Sequence, residues 1–338
     1  MNFDTNNDSF YVAIPNFDSH FEGFIKNDKK LIGSFIKDNK KDYSIPFVAY
    51  YNQGSRFETS TDSFAFIKPK YDVSIIANST SIPAIGIFKQ TGINIDASFA
   101  TETGDYRFLN GVIDGDKLKL STFDGTHLFL FTADIKGDSL LNGEFVSSNS
   151  STYKWNGYAN NDVKLRDPEK LTQLIRDINP SDRIKFISTT RDTVVLINNR
   201  KDKVKMIQIM GTWCPNCLDE ARYFNELYKK YNKQGLEIYA VAFENGKSTE
   251  VILDKLEKYK EQNNIEYPIL YGGKAANKAA LDVFPYLNQI MSFPTTLYLD
   301  KNNTIRKIYT GFYGPSTGRY YEEYTQTTEK FIQDLLNE

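Results

Sequence analysis

"MIQIMGTWCPNCLDEARYF", residues 206–224, contains both cysteines of a chain of 338 residues. An apolar run of strand length stops at Gly211, and Cys217, Ala221, Phe224, Tyr228 and Tyr231 then follow at helical spacing. A strand feeding a helix through Cys214-Pro215-Asn216-Cys217 admits three readings: a structural disulfide, part of a metal site, or a redox-active dithiol. A structural zinc site wants four Cys or His ligands. The chain has two Cys and two His, and both His20 and His127 lie in the distant β-type half. A structural disulfide across so short a loop gains little chain entropy and would staple a turn the helix already fixes. The redox reading uses every feature. Cys214 at a helix N-terminus faces unpaired N–H groups and the positive end of the dipole, which favour a thiolate. Pro215 suits the first helical turn because it has no N–H to leave unpaired. Cys217, one turn further and more interior, is placed to resolve a mixed disulfide formed at Cys214.

Outward from this stretch the chain alternates. "GLEIYAVAFE" is a buried strand, and "STEVILDKLEKYKEQNN" a helix opened by Ser248 and Glu250. "YPILYGG" reads as a strand and "KAANKAALDVF" as a helix. "TTLYLD" and "IRKIYTGF" pair around Lys301-Asn302-Asn303, and a last helix aligns Tyr321, Tyr324, Thr328, Phe331 and Leu335 on one face. Strands alternating with helices imply an α/β domain with a central mixed sheet covered on both sides.

Upstream, residues 1–165 read as β throughout. Gly115-Asp116 and Gly137-Asp138 each follow an apolar strand and precede another, a hairpin signal used twice. Short strands at this spacing predict an all-β antiparallel sandwich or barrel. The pattern changes at "LRDPEKLTQLIRDINPSDR". Pro168 opens a short helix carrying Leu171, Leu174, Ile175 and Ile178, and Pro180 stops it. "RIKFIS" and "DTVVLIN" follow as strands joined by Thr190-Arg191. The expected parts are thus a β domain of unknown task over 1–165, a linker with a short helix over 166–183, and an α/β domain over 184–338.

Composition agrees with a two-domain globular protein: 40% hydrophobic, 25% charged, 22 Tyr and 24 Phe. Lys and Arg number 41 against 43 Asp and Glu, a net charge of -2. No basic field exists to attract nucleic acid or an anionic membrane. No apolar run reaches the roughly 20 residues of a spanning helix. "MNFDTNNDSFYVAIPNFDS" lacks the basic-then-apolar order of a signal peptide, which leaves two readings: a cytosolic protein, or one whose leader has been removed ahead of Met1. His20 and His127 each stand alone, as packing or hydrogen-bonding residues usually do.

"KMIQIMGTWCPNC", "GLEIYAVAFE", "SFPTTLYLD" and "IRKIYTGF" together resemble the thioredoxin fold, and within it the TlpA/ResA-like thiol-disulfide oxidoreductases of bacterial envelopes. The resemblance covers about residues 184–338. Residues 1–165 resemble the β domain that precedes such domains in some Bacteroidota proteins. The resemblance implies Cys214 as nucleophile, Cys217 as resolving cysteine, Trp213 as the flanking aromatic, and Pro294 as a cis-proline beside the dithiol. With Pro215 and Phe293, Trp213 and Pro294 would form the substrate-binding surface. It implies protein disulfides as substrates, a membrane or periplasmic thiol donor as partner, and no metal, nucleic acid or cofactor. The expected location is the periplasm, with membrane anchoring open.

Two departures stand out. Many thioredoxins bury an Asp six residues before the first Cys, where this chain has Gln208, which takes no proton. Glu244, ending "AVAFE", is the candidate replacement, against the alternative of a solvated Glu at a strand end. Pro215 also occurs in strongly oxidising relatives of the fold, so the motif leaves the direction of electron flow open. Reduction of protein disulfides is the preferred reading. Disulfide oxidation or isomerisation, and a β-domain binding module served by an accessory thioredoxin domain, are the alternatives.

Overall fold

A computed structural model describes residues 2–4, 8–38, 40–61, 63–77, 79–148, 151–178, 185–197 and 202–338. It divides into two compact units. One comprises 1–99 and 106–164, the other 100–105 and 165–338.

The first unit is antiparallel. Strands β1 (Asn2–Asp4), β2 (Ser9–Ile14), β3 (Ser19–Asn27), β4 (Lys30–Lys37) and β5 (Ser44–Tyr50) form a sheet in sequence order. Phe21 and Phe35 pack edge-on against Phe123, and the Ser19 hydroxyl donates to the Gly125 carbonyl. The second sheet contains β6 (Lys70–Ala77), β7 (Thr80–Thr91), β8 (Asn94–Thr101), β9 (Gly104–Asp105), β10 (Leu109–Asp114), β11 (Lys117–Phe123), β12 (Leu128–Lys136), β13 (Ser139–Ser147) and β14 (Ser151–Ala159), of which β9 and the last two residues of β8 group with the second unit. Pairing of β10 with β8 closes this sheet into a barrel, which removes its free edges. Alternate residues fill its interior: Phe99 and Phe145 stack on opposite sides of Phe131, with the Trp155 ring edge-on to Phe99 and Phe131. Gly115-Asp116 and Gly137-Asp138 form the turns expected of them, both glycines at positive φ. Both histidines stand beside acids: Nδ1 of His20 lies 2.9 Å from Asp38, and Nδ1 of His127 is hydrogen-bonded to Asp124 at 3.0 Å.

The second unit is built on a seven-stranded mixed sheet. Its strands are β15 (Lys185–Ser188), β16 (Thr193–Val195), β17 (Val204–Met210), β18 (Leu236–Glu244), β19 (Ile269–Lys274), β20 (Thr295–Leu299) and β21 (Ile305–Thr310), in the order β16-β15-β19-β18-β17-β20-β21. The helices are α1 (Pro215–Tyr231), α2 (Thr249–Gln262), α3 (Asn277–Val283) and α4 (Arg319–Asn337). Every residue of β17 is buried, because it lies centrally and both faces are covered. Ile207 and Ile209 join a core with Phe243, Phe284 and Leu297, while Gln208 between them points toward α1. On α4, Tyr324, Thr328, Ile332 and Leu335 are buried.

The helix expected from Pro168 does not form. Only Pro168–Lys170 is helical, as a single 3₁₀ turn capped by Asp167. Beyond it the backbone pairs tertiarily: the Ile175 N–H donates to the Tyr286 carbonyl, the Asn288 N–H to the Gln173 carbonyl, and Leu174 bridges to Leu287. Those bonds take the place of intrahelical ones. Pro180, the expected stop, lies outside the described residues, as do Arg183 and Ile184 of the first predicted strand and Asn198 of the second.

Candidate active site

Strand β17 delivers the chain to Gly211, and three residues later Cys214 caps α1. Its Sγ accepts the Cys217 backbone N–H at 3.2 Å, and Pro215 occupies the first turn. Cys214 and Cys217 are joined as a disulfide. Cys214 is 7% exposed and Cys217 fully buried, so attack from outside is possible on only one of the two sulfurs.

The Phe293–Pro294 peptide is cis and leads into β20. The Phe293 carbonyl oxygen lies 3.4 Å from Sγ of Cys214, and the Pro294 carbonyl accepts the Gly311 N–H at 2.9 Å. Trp213 is half-buried. Its indole N–H donates to the Phe243 carbonyl at 3.0 Å, and its ring meets Phe293 edge-on at 5.4 Å. Cys214, Trp213, Phe293 and Pro294 thus stand together, with Pro215 buried behind the turn.

Glu244, at the end of β18, is buried. Its carboxylate accepts the Thr212 N–H at 2.6 Å and the Thr212 hydroxyl at 3.0 Å, and pairs with Lys255 at 3.0 Å. These donors fix the 211–213 loop just ahead of Cys214. Glu244→Gln is expected to cost roughly 2–3 kcal/mol of stability, below the roughly 3–5 kcal/mol of a fully buried broken pair, since Lys255 keeps some contact with water. Urea unfolding of the disulfide form measures this; an unchanged midpoint would remove Glu244 from the support of the loop.

The residue that sequence reasoning missed is Glu220. It is completely buried on α1, one turn beyond Cys217. Its carboxylate accepts from the Gln208 amide at 2.9 Å, the Thr296 hydroxyl at 3.1 Å and the Tyr324 hydroxyl at 2.9 Å. Among the described residues no Lys or Arg pairs with it. Burial pushes its pKa up to about 7, against the pull of those three donors. The Gln208 amide also donates to the Cys217 carbonyl at 3.2 Å, so one neutral side chain links the acid to the backbone of the inner cysteine. The available signal was spacing. Glu220 stands three after Cys217 and four before Phe224, on the apolar face of its helix, where an unpaired acid is unexpected.

Residues 184–308 match the AhpC/TSA family. The second unit is a thioredoxin-like domain. Among curated relatives, the thiol-disulfide oxidoreductase ResA of Geobacillus thermodenitrificans is 34% identical over 115 residues, 34% of this chain and 59% of that protein. ResA of Oceanobacillus iheyensis is 26% identical over 148 residues, 44% of this chain and 70% of that protein. These are relatives of the kind the sequence resemblance pointed to, and the chain spans about three-fifths of the length of the first. Among solved structures, the thioredoxin domain of a thiol-disulfide oxidoreductase from Bacteroides vulgatus is 20% identical, with a TM-score of 0.34 over 47% of this chain and 96% of that one. A thiol:disulfide interchange protein of the thioredoxin family from Chlorobium tepidum is 15% identical, with a TM-score of 0.36 over 45% and 92%.

Proposed function

We propose that this protein is a thiol-disulfide oxidoreductase that reduces disulfides of protein partners. The observation that carries the reading is a disulfide at a helix N-cap whose outer sulfur, Cys214, lies beside a cis-proline loop while Cys217 is sealed inside. In the reduced protein, the Cys214 thiolate attacks one sulfur of a substrate disulfide. A mixed disulfide forms and one substrate thiolate leaves. The Cys217 thiolate then attacks Cys214 Sγ, releasing the second substrate thiolate and regenerating the Cys214–Cys217 disulfide. Two electrons pass to the substrate, and a donor dithiol must restore them.

Trp213, Phe293 and Pro294 form the surface an extended substrate segment meets, while Pro215, expected there from the sequence, is buried behind the turn and supports it from inside. Glu220 is assigned the proton that Cys217 gives up or takes back, by way of the Gln208 side of the site. Glu244, its acceptors filled by Thr212 and Lys255, is assigned a positioning role. The donor is taken to be a membrane or periplasmic thiol protein, and the location the bacterial periplasm, on the strength of the family resemblance. Among the described residues no helix is long and apolar enough to cross a membrane.

The test is the reduction potential of the Cys214/Cys217 couple in thiol buffers. A value near or below roughly −270 mV is expected and marks an electron donor. A value near roughly −120 mV would reverse the direction and make the protein an oxidant.

A further inference from the structure

Residues Ala100–Asp105, the end of β8, its turn and β9, belong by their contacts to the second unit. Within that unit they lie against the dithiol turn. The Asp105 carbonyl accepts the side-chain amide of Asn216, the residue immediately before Cys217, at 3.2 Å. The Asp105 carboxylate accepts the Gly314 N–H at 2.5 Å and the Ser316 hydroxyl at 3.2 Å. The 311–316 loop is in turn tied to the cis-proline through Gly311 N–H and the Pro294 carbonyl. One buried aspartate therefore joins the Cys-Pro-Asn-Cys turn to the loop that backs Pro294.

The sequence is built for this approach. Gly104 has φ +137°, and a Cβ there would overlap the amide nitrogen of Asn216. Gly311 has φ +81°, and its Cβ would come within 2.9 Å of the Thr103 carbonyl carbon. A Cβ on Gly314 would lie 3.1 Å from the Asp105 carboxylate. The segment is closed by the Thr101 hydroxyl on the Gly104 carbonyl and tethered by a two-pronged Glu102–Arg166 pair.

We infer that Ala100–Asp105 is a clip on the dithiol turn, with Asp105 a positioning residue that acts through Asn216 and biases the couple toward its disulfide. The inference rests on the dithiol reading above. The contact is made with the turn in its disulfide form. Reduction frees both cysteine side chains, and the turn no longer presents Asn216 as firmly. A contact shifts an equilibrium only by what it contributes differently to the two states.

The experiment measures the thiol-buffer equilibrium of the wild type, Asp105→Ala, Asn216→Ala and the double variant, each with its urea midpoint. Each single substitution should make the disulfide easier to reduce by about fivefold, the net worth of one hydrogen bond, or about 20 mV for a two-electron couple. Asn216→Ala removes the bond to the Asp105 carbonyl itself, whereas Asp105→Ala removes the carboxylate bonds that hold that carbonyl in place, so the double variant should shift no further than Asn216→Ala alone. A merely structural role would lower the urea midpoint and leave the couple in place. That result, or shifts that simply add, would overturn the clip. Should Asp105→Ala fail to fold, Ser316→Ala removes only one donor and should give a smaller shift of the same sign; no shift overturns the inference. A wild type with no reversible couple would sink the proposed function itself, an outcome distinct from unchanged variants on a working couple.

Discussion

Cys214→Ser is expected to abolish reduction of insulin disulfides, a loss of at least about 10³-fold. Cys217→Ser is expected to convert the protein into a trap that accumulates covalent complexes with its substrates. The asymmetry follows from burial. Only Cys214 reaches the surface, and it sits at the N-terminus of α1 with the Cys217 N–H directed at its sulfur, so it alone can both approach a partner disulfide and be stabilised as a thiolate. A serine hydroxyl in its place is not a useful nucleophile toward sulfur. Cys217 has no path to a partner and can act only on Cys214 Sγ, with the substrate thiolate leaving. Without it the mixed disulfide has no internal exit. Activity assays with the first variant and non-reducing gels with the second check the pair. Retained turnover in Cys214→Ser would end the proposed mechanism, and a Cys217→Ser variant that forms no adducts would remove the resolving role.

Glu220→Gln is expected to flatten the pH dependence of stability between about pH 4.5 and 7. The acid's ordinary value is 4.5, and burial lifts it to about 7 in the folded protein. Between those values the folded protein holds a proton that the unfolded chain releases. The stabilising contribution is therefore full below about pH 4.5 and is lost as pH climbs through about 7. The loss is roughly 3 kcal/mol at most, at about 1.4 kcal/mol for each pH unit between the two values. Glutamine has no such titration. It keeps an oxygen for Tyr324 but sets an amide NH₂ toward Gln208, so the variant begins with a deficit relative to the wild type that shrinks as pH rises. Urea midpoints at four pH values measure the two slopes. Parallel slopes would show that Glu220 does not titrate in this window and would remove it as the proton holder behind Cys217.

The central strand, the helix behind it and the dithiol were legible because three local signals agree at one place: a fully apolar run, a proline in a first turn, and two cysteines one turn apart. The barrel was legible as a class, since glycine turns and alternating strands identify hairpins. Its closure was not, because the pairing of β10 with β8 is a long-range choice with no local mark. The false helix after Pro168 shows the opposite failure. Leu171, Leu174, Ile175 and Ile178 have helical spacing, yet the backbone found better partners in Gln173–Asn288 and Ile175–Tyr286 bonds. Glu244 drew notice as a terminal carboxylate. Glu220 drew none, because it resembles a surface charge until Tyr324 and Thr296, more than seventy residues away in sequence, close over it.

The loop that lies beside Cys214 is also a matter of timing. Pro294 follows Cys217 by almost eighty residues, which at roughly 5–20 residues per second is on the order of 4–16 s of synthesis. The nascent chain therefore carries its most reactive sulfur before it owns the loop that will sit against it. Because Cys214 and Cys217 are its only cysteines, that interval offers no wrong internal partner. Any mistake made then has to involve another molecule, and the neighbouring Cys217 is already in place to undo it.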